Sequence, residues 1–346
     1  MNEKEKITPE MPTLLTVAPS PHIKSGDTTR SIMIDVLIAL LPAFVWGCFM
    51  SGVRAVAVGV ISVAACVLFE WATEKILHRP VTVGDCSAAV TGLLLAMNLS
   101  AAVPLWMPVV GAFFAIVIVK QLFGGIGKNI VNPALAARVF LFSWASEMTT
   151  FTKAGSRISS LAVTLGEGDI TAGATPLASL KAGSFPDATL GDMFVGNIGG
   201  SIGEVSTLLL LLGGIYLLVR RVITWHIPVT YLGTVAVLSY LFPQMTNSVS
   251  FMMYELMAGG LVLAAFFMAT DYATSPLTPT GRLIYGFGCG VITFLIRRFG
   301  GYAEGASFAV LIMNLLVWYL DLVGKPRRFG TKRFEARPKK AEKGDK

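Results

Sequence analysis

Met33-Ile-Asp-Val-Leu-Ile-Ala-Leu-Leu-Pro-Ala-Phe-Val-Trp-Gly-Cys-Phe-Met-Ser-Gly52 is a run of twenty residues in which Asp35 is the one charge. An α-helix rises about 1.5 Å per residue, so about 20 apolar residues match a bilayer core about 30 Å thick. The stretch reads as a membrane span. Working outward, comparable runs continue to Val323, and ten spans are expected at about 33–52, 55–72, 86–101, 104–123, 131–146, 204–219, 227–242, 252–270, 283–299 and 306–323. Several are short or interrupted by Gly, Pro or Asn. Such interruptions suit tilted or broken helices whose freed backbone groups are buried in protein or line a cavity. Only 14% of the 346 residues are charged, against about a quarter in soluble domains, which excludes an ordinary water-soluble fold.

The net charge of +7 is carried by residues 324–346, where ten Lys/Arg face three Asp/Glu, so it gives no reason to expect nucleic acid as a partner. This tail is expected to rest on anionic lipid or a protein partner. Cys48, Cys66, Cys86 and Cys289 are scattered singly, and His22, His78 and His226 form no intramembrane pair. Iron–sulfur, zinc or haem ligation by this chain alone is therefore not expected. If electrons pass through it, some other carrier holds them. The polar first 30 residues read as a short cytoplasmic segment with no cleavable signal. With the amino terminus in the cytoplasm, that side receives Lys75, Arg79, Lys120, Lys128, Arg220, Arg221 and Arg282, plus four basic residues in the head and ten in the tail. The other side receives Arg54, Lys153, Arg157, Lys181, Arg297 and Arg298, so both termini are expected inside.

Residues 147–203 form one long, mostly polar connection on the outer side, with enough apolar side chains, such as Phe151, Leu177 and Met193, to pack onto the membrane part. Long connections usually carry function or are disordered; this one is expected to be ordered. On either side of it Gln121-Leu-Phe-Gly-Gly125 echoes Arg297-Arg-Phe-Gly-Gly301, and Thr91-Gly-Leu-Leu-Leu-Ala96 echoes Gly259-Gly-Leu-Val-Leu-Ala264. An odd number of spans per half inverts the second half. The expected organisation is therefore a segment 1–30, a five-helix repeat 31–146, the loop 147–203, an inverted five-helix repeat 204–323 and a basic tail 324–346. This is an all-α polytopic fold of ten transmembrane helices, in which ligands sit where broken helices of the two halves meet.

The loop contains Asp169-Ile-Thr-Ala-Gly-Ala-Thr-Pro-Leu177. Pro176 pushes Thr175 toward an extended conformation, and Gly173 and Ala174 leave no bulk beside its hydroxyl. A surface turn in which Thr175 bonds to nearby backbone is the plainer reading of these nine residues. Elsewhere, Asn129 and Asn132 before Pro133 offer either a buried helix cap or ligand contact. Asp271, Thr274 and Ser275 form a polar run after the eighth span that reads as a capped turn or as part of an inner site. Asn197 and Ser201, near Glu204 and flanked by Gly199, Gly200 and Gly203, read as a capped helix start or as an outer ligand contact. The charges Asp35, Arg138, Glu255 and Asp321 are costly within apolar spans and mark a polar interior or an ion path, unless they pair with one another. Trp46, Phe113, Phe114, Phe123, Phe266 and Phe267 are read as helix packing.

The motif Asp169 to Thr175 resembles the Asp-x-x-[Ser/Thr]-Gly-Ala-Thr signal at which a flavin transferase attaches FMN through a phosphoester, with Ala172 where Ser or Thr is usual. Gly124-Gly-Ile-Gly-Lys-Asn-Ile-Val-Asn-Pro-Ala134, Gly196-Asn-Ile-Gly-Gly-Ser-Ile-Gly-Glu204, Arg220-Arg-Val-Ile-Thr-Trp-His-Ile-Pro228 and Ala269-Thr-Asp-Tyr-Ala-Thr-Ser-Pro-Leu-Thr-Pro279 extend the likeness from about Arg30 to Val323. Together they resemble the D subunit family of the Rnf-type ion-translocating ferredoxin:NAD oxidoreductase and its relative, the B subunit of the sodium-translocating NADH:quinone reductase.

The resemblance implies covalent FMN on Thr175, with Asp169, Gly173 and Ala174 as its recognition motif. It also implies a non-covalent riboflavin in the membrane half, for which Asn129, Asn132, Asp271, Thr274 and Ser275 are candidates. Asn197 and Ser201 are candidate contacts of the outer flavin. It further implies an electron-carrying subunit in a prokaryotic cytoplasmic membrane, inactive alone, with other complex subunits and a flavin transferase as partners. The rival class is a stand-alone channel or carrier for a small solute. That class explains the broken helices but leaves the long loop without a role.

Overall fold

The computed structural model describes residues 26–151, 173, 175–302 and 304–324. All regular structure among these residues is helical. Two long apolar helices come first, α1 (Thr29–Ser51) and α2 (Val53–Ile76), joined at Gly52, whose φ of 88° favours glycine. A capping box at Thr28 and Ser31 starts α1. Then α3 (Ser87–Met97) stops after 11 residues, and α4 (Trp106–Phe113) continues through a π-helical stretch, Phe114–Gln121. Helix α5 (Pro133–Leu141) begins at the Asn132 cap with Pro133 in its first turn, where a missing N–H costs nothing. The short α6 (Ala145–Met148), α7 (Pro176–Lys181) and α8 (Leu190–Val195) belong to the long connection.

The second half contains α9 (Thr207–Val219), α10 (His226–Leu241), α11 (Ser248–Met257), α12 (Leu261–Leu263, continuing as a π-helical stretch Ala264–Met268), α13 (Pro279–Phe299) and α14 (Ala306–Gly324). Among the described residues four helices, α1, α2, α13 and α14, are each long and apolar enough to cross a membrane, and a fifth span results if α11 and α12, bent by 62°, are one. The other apolar helices are shorter than a bilayer core. The break at Asn132-Pro133, where α5 starts, falls where the sequence places it; α3 ends earlier than expected, at Asn98-Leu99-Ser100, and the stretch expected as one span at 252–270 bends at Ala258-Gly259-Gly260, where Gly259 has a φ of 69°.

These broken pieces meet one another. The connection ahead of α9 lies against the end of α3 through Ile202 N–H to Leu99 O (2.9 Å) and Gly203 N–H to Met97 O (2.8 Å). A Cβ on Gly203 would stand 2.5 Å from Met97 Cβ, so only glycine permits this approach. Helix α1 runs the full distance between two ends. Asp35 near its start meets Arg220 after α9, and Trp46 near its finish donates to Gly196 O (3.3 Å). Glycines let it pack closely: a Cβ on Gly213 would lie 2.3 Å from Ala39 O. The end at Asp35 is called the terminal end and the end at Gly196 the loop end.

Candidate functional site

Two cavities lie at these two ends. The larger, of about 390 Å³, opens at the terminal end between α1, α3, the Gly124–Asn132 connection and α12. Met33, Val36, Leu94, Leu217, Phe266 and Phe267 give it apolar walls, and Ser87, Lys120, Asn129, Asn132 and Asp271 give it polar points. A volume in the range of about 300–1,000 Å³ with mostly apolar walls and a few polar groups is the usual build of a small-molecule site. Both π-helical stretches border it: one supplies Lys120, the other Phe266 and Phe267. Such widened turns often occur at functional positions, because an extra residue re-aims side chains.

Asn132 both caps and lines. Its Oδ1 accepts from Ala134 N–H (3.0 Å) and Leu135 N–H (3.2 Å), while its amide donates to Met268 O (3.3 Å), tying α5 to the end of α12. Asn129 donates to Val131 O at 3.2 Å. Asp271 lines the cavity and receives a 3.2 Å bond from Thr274 Oγ1. Thr274 and Ser275 do not line it; Thr274 is buried behind Asp271, and Ser275 N–H bonds to Asp271 O at 3.0 Å. Phe266 and Phe267 thus face the cavity as well as packing, whereas Phe113 and Phe123 are turned outward.

Sequence reasoning missed Lys120. It is 3% exposed, with Nζ bonded to Glu70 Oε1 (2.5 Å) and Ser87 Oγ (2.6 Å). A lysine towards the end of an apolar run was the available signal, but counting it as a loop cation hid it.

The smaller cavity, of about 70 Å³, is at the loop end and is lined by Arg138, Phe142, Thr175, Glu204, Tyr302 and Glu304 among others. Thr175 is extended, with φ −71° and ψ 152°, and caps α7 by accepting from Ala178 N–H at 3.3 Å. Thr175 itself lines the cavity, and its hydroxyl proton is not used by the cap. Gly173 N–H bonds to Phe151 O at 3.0 Å. Asp169 and Ala174 lie outside the described residues. Helix α7 is fastened to the membrane part by Lys181, whose Nζ donates to Gly300 O (2.5 Å) and Tyr302 O (2.8 Å). Asn197 does not reach this cavity; it is exposed and its N–H bonds to Asp192 O at 2.8 Å. Ser201 is fully buried beside Glu204, and the cap of α9 is Ser206 instead.

The other wall is charged. Arg138 pairs with Glu304, lies 3.5 Å from Glu204 Oε1, and donates to Asn98 Oδ1 (2.8 Å) and Ser307 Oγ (3.1 Å). Burial alone would raise the carboxyl of Glu304, in the connection ahead of α14. The Arg138 guanidinium and the Gly260 N–H (2.6 Å) overcome this and hold it down at about 2. Glu204, in the connection ahead of α9, is pushed well above the usual carboxylate range by burial and by the Glu304 charge. The remaining charges of the spans are paired or bonded too. Asp35 meets Arg220 (3.1 Å), Glu255 meets Arg297 (2.6 Å), and Asp321 accepts from Leu277 N–H (2.9 Å). Asp35, Arg138, Glu255 and Asp321 thus find partners, but not in one another.

The two ends define a class: a helical membrane protein with a mostly apolar cavity at one end and a threonine-bearing, charge-lined cleft at the other. The profile of the NQR2, RnfD, RnfE family matches residues 16–330. The chain belongs to that family. It is 46% identical over 331 residues, 94% of this chain and 98% of the other, to the D subunit of the Na(+)-translocating ferredoxin:NAD(+) oxidoreductase complex of Acetobacterium woodii. It is 41% identical over 331 residues, 92% and 97% of the two chains, to the D subunit of the proton-translocating ferredoxin:NAD(+) oxidoreductase complex of Clostridium ljungdahlii. A third relative, the D subunit of the ion-translocating oxidoreductase complex of Stutzerimonas stutzeri, is 40% identical over 327 residues, 86% and 91% of the two chains.

Proposed function

We propose that this chain is the D subunit of a membrane complex that couples electron transfer between ferredoxin and NAD to movement of Na+ or H+, and that it carries flavin at both ends. The names of relatives matching over more than nine-tenths of the chain support the first part. Relatives named for Na+ and for protons are similar to it to nearly the same degree, so identity does not choose the ion. Those relatives are named as parts of complexes, and on this reading partner subunits bring electrons in and take them out.

The observation that carries the flavin reading is the placement of Thr175, extended before Pro176, in the lining of the loop-end cleft. FMN joined there by a phosphoester stays at high local concentration near its redox partners whatever its non-covalent affinity. A cleft of about 70 Å³ is too small to enclose a tricyclic ring, so a flavin joined to Thr175 would extend beyond it. The terminal-end cavity fits riboflavin: its 390 Å³ and apolar walls accept the ring, and Asn129, Asn132 and Asp271 offer amides and a carboxylate to its polar edge. Bound flavin supplies the electron-carrying chemistry; the protein supplies tether, spacing and electrostatics.

This reading includes ten crossings arranged as two inverted five-helix repeats, both termini in the cytoplasm and Thr175 outside the cytoplasmic membrane, where a flavin transferase acts. The charge count along the chain and the pairing of α3 with the return ahead of α9 support it. The alternative, the B subunit of a quinone reductase, falls in the same family, and a solute channel leaves Thr175 unexplained. The test is a denaturing gel of the chain made together with a flavin transferase. A fluorescent band that vanishes in Thr175→Ala, and an intact mass raised by one FMN phosphoester, are expected. A dark wild-type band with unmodified mass overturns the reading.

A further inference from the structure

The charge inventory of the loop-end cleft does not balance. Arg138 and Arg297 are 3% and 4% exposed, and Glu204 and Glu255 are each 7% exposed. Glu304 completes the group, paired with Arg138 and with its Oε1 3.3 Å from the point where Gly259 would carry a Cβ, the same distance from that point as Arg297 Nη2. Two guanidinium groups therefore face three carboxyls. Glu255 is satisfied by Arg297 (2.6 Å) and Glu304 by Arg138 and the Gly260 N–H. Glu204 is left over. Its Oε1 has no hydrogen-bond partner among the described residues, and Arg138 Nη2 is 3.5 Å away.

Gly260 shows how closely the two carboxyls converge: both Glu204 Oε1 and Glu304 Oε1 lie 3.0 Å from the point where a Cβ on that glycine would sit. Leaving an uncompensated negative charge there is unfavourable, and buried groups avoid that state by taking a proton. The other charged or titratable groups facing the cleft do not remove the excess. Lys181 donates to Gly300 O and Tyr302 O and forms no ion pair with Glu204 or Glu304 among the described residues.

We propose that Glu204 and Glu304 form a single-proton site, in which Glu204 holds one exchangeable proton at neutral pH and Glu304 stays ionised against Arg138. The proton sits on a Glu204 carboxyl oxygen and leaves to water through the cleft; no electron moves and no bond other than O–H forms or breaks. The loop end is thereby an acid–base site as well as the place of Thr175, and this holds whether or not Thr175 carries a flavin. Direction of charge supports it, since burial and the neighbouring Glu304 charge both favour the neutral form of Glu204.

The test is infrared spectroscopy of the full chain purified in detergent, without any redox partner. The wild type is expected to show the carbonyl absorption of a buried neutral carboxylic acid at pH 7, shifting in D2O and fading at alkaline pH as one proton per chain is released. Glu204→Gln, which keeps the size and neutrality of the protonated side chain, is expected to lack it. Gly260→Ala, which drives a methyl group between the carboxyls, keeps both acids and serves if the glutamine variant does not fold. There the absorption is expected to fade at lower pH, and an unchanged midpoint overturns the proposal. An absorption that persists in Glu204→Gln, or a loss of carboxylate rather than acid signal in that variant, also overturns it. So does an acid signal that appears only after Na+ is replaced by choline, because the site then holds a metal cation.

Discussion

The terminal-end cavity and the loop-end cleft would hold the flavins proposed for them by opposite means. The first is roomy and mostly apolar in its lining, so a ligand there would gain affinity from buried area at roughly 25 cal/mol per Å². The second is about 70 Å³ and ringed by Arg138, Glu204 and Glu304, and so offers a large flat ring little apolar area. On the proposed reading, a flavin kept there relies on its covalent bond to Thr175, so that the tether replaces the affinity that shape would supply at the terminal end.

The sharpest way to break this contrast is Thr175→Ala. Covalent flavin is expected to fall to nothing, read as loss of in-gel fluorescence, while riboflavin extracted by acid from the same preparation stays near one per chain. Loss of both would show that the two ends are not independent. Thr175→Ser retains a primary hydroxyl at the same cap and is expected to keep part of the fluorescence.

Next in size is Arg138→Leu, which strands Glu304 and Glu204 in a buried cleft. Removing one partner of a buried pair costs about 3–5 kcal/mol, so a large drop in thermal unfolding temperature is expected by scanning fluorimetry in detergent. The loss should be smaller at acid pH, where Glu304 protonates. The sign in the wild type follows from the same residue. Its folded carboxyl lies at about 2, below the unfolded value near 4.3. Its contribution is present above about pH 4.3 and is lost as pH falls through about 2. A wild-type unfolding temperature that stays flat across this acid range would contradict the pairing.

A smaller effect is expected from Ala273→Trp, which fills the terminal-end cavity with an indole. Riboflavin content is expected to fall at least tenfold, about 1.4 kcal/mol in affinity terms, with covalent FMN unchanged. Retention of riboflavin would place it elsewhere.

How much of this was legible beforehand depended on whether the signal was local. The apolar run 33–52 and the break at Asn132-Pro133 carry their meaning within a few residues, so the helix α1 and the start of α5 could be read directly, whereas the bend at Gly259-Gly260 falls inside a stretch read as one span, 252–270. Thr175 could be read because proline and glycine constrain its neighbourhood. The convergence of Glu204, Arg138 and Glu304 was not legible, because it joins three positions more than about 60 residues apart through the packing of broken helices. Lys120 misled for a related reason: charge counting treats every lysine near a span end as solvated, and burial against Glu70 is a tertiary fact. Asn197 and Ser201 look alike in sequence, yet one is exposed and the other fully buried.

The smallest expected effect concerns the clasp that closes the terminal end. Asp35 receives Tyr216 Oη (2.9 Å) and pairs with Arg220 (3.1 Å), whose side chain is 54% exposed. Solvent screens such a pair, and exposed ion pairs contribute about 0.2–1 kcal/mol. Asp35→Asn keeps the acceptor for Tyr216 and loses only the charge, so unfolding temperature is expected to shift by a degree or two. The informative readout is kinetic. Asp35 holds α1 to α9, and Met33, Val36 and Leu217 on those helices form one wall of the cavity. Loosening the clasp is expected to speed riboflavin release several-fold while leaving covalent FMN untouched, because the described lining of the loop-end cleft draws no residue from α1. Equal release rates in the variant and the wild type would mean that the ligand leaves past Asn129 and Asp271 instead.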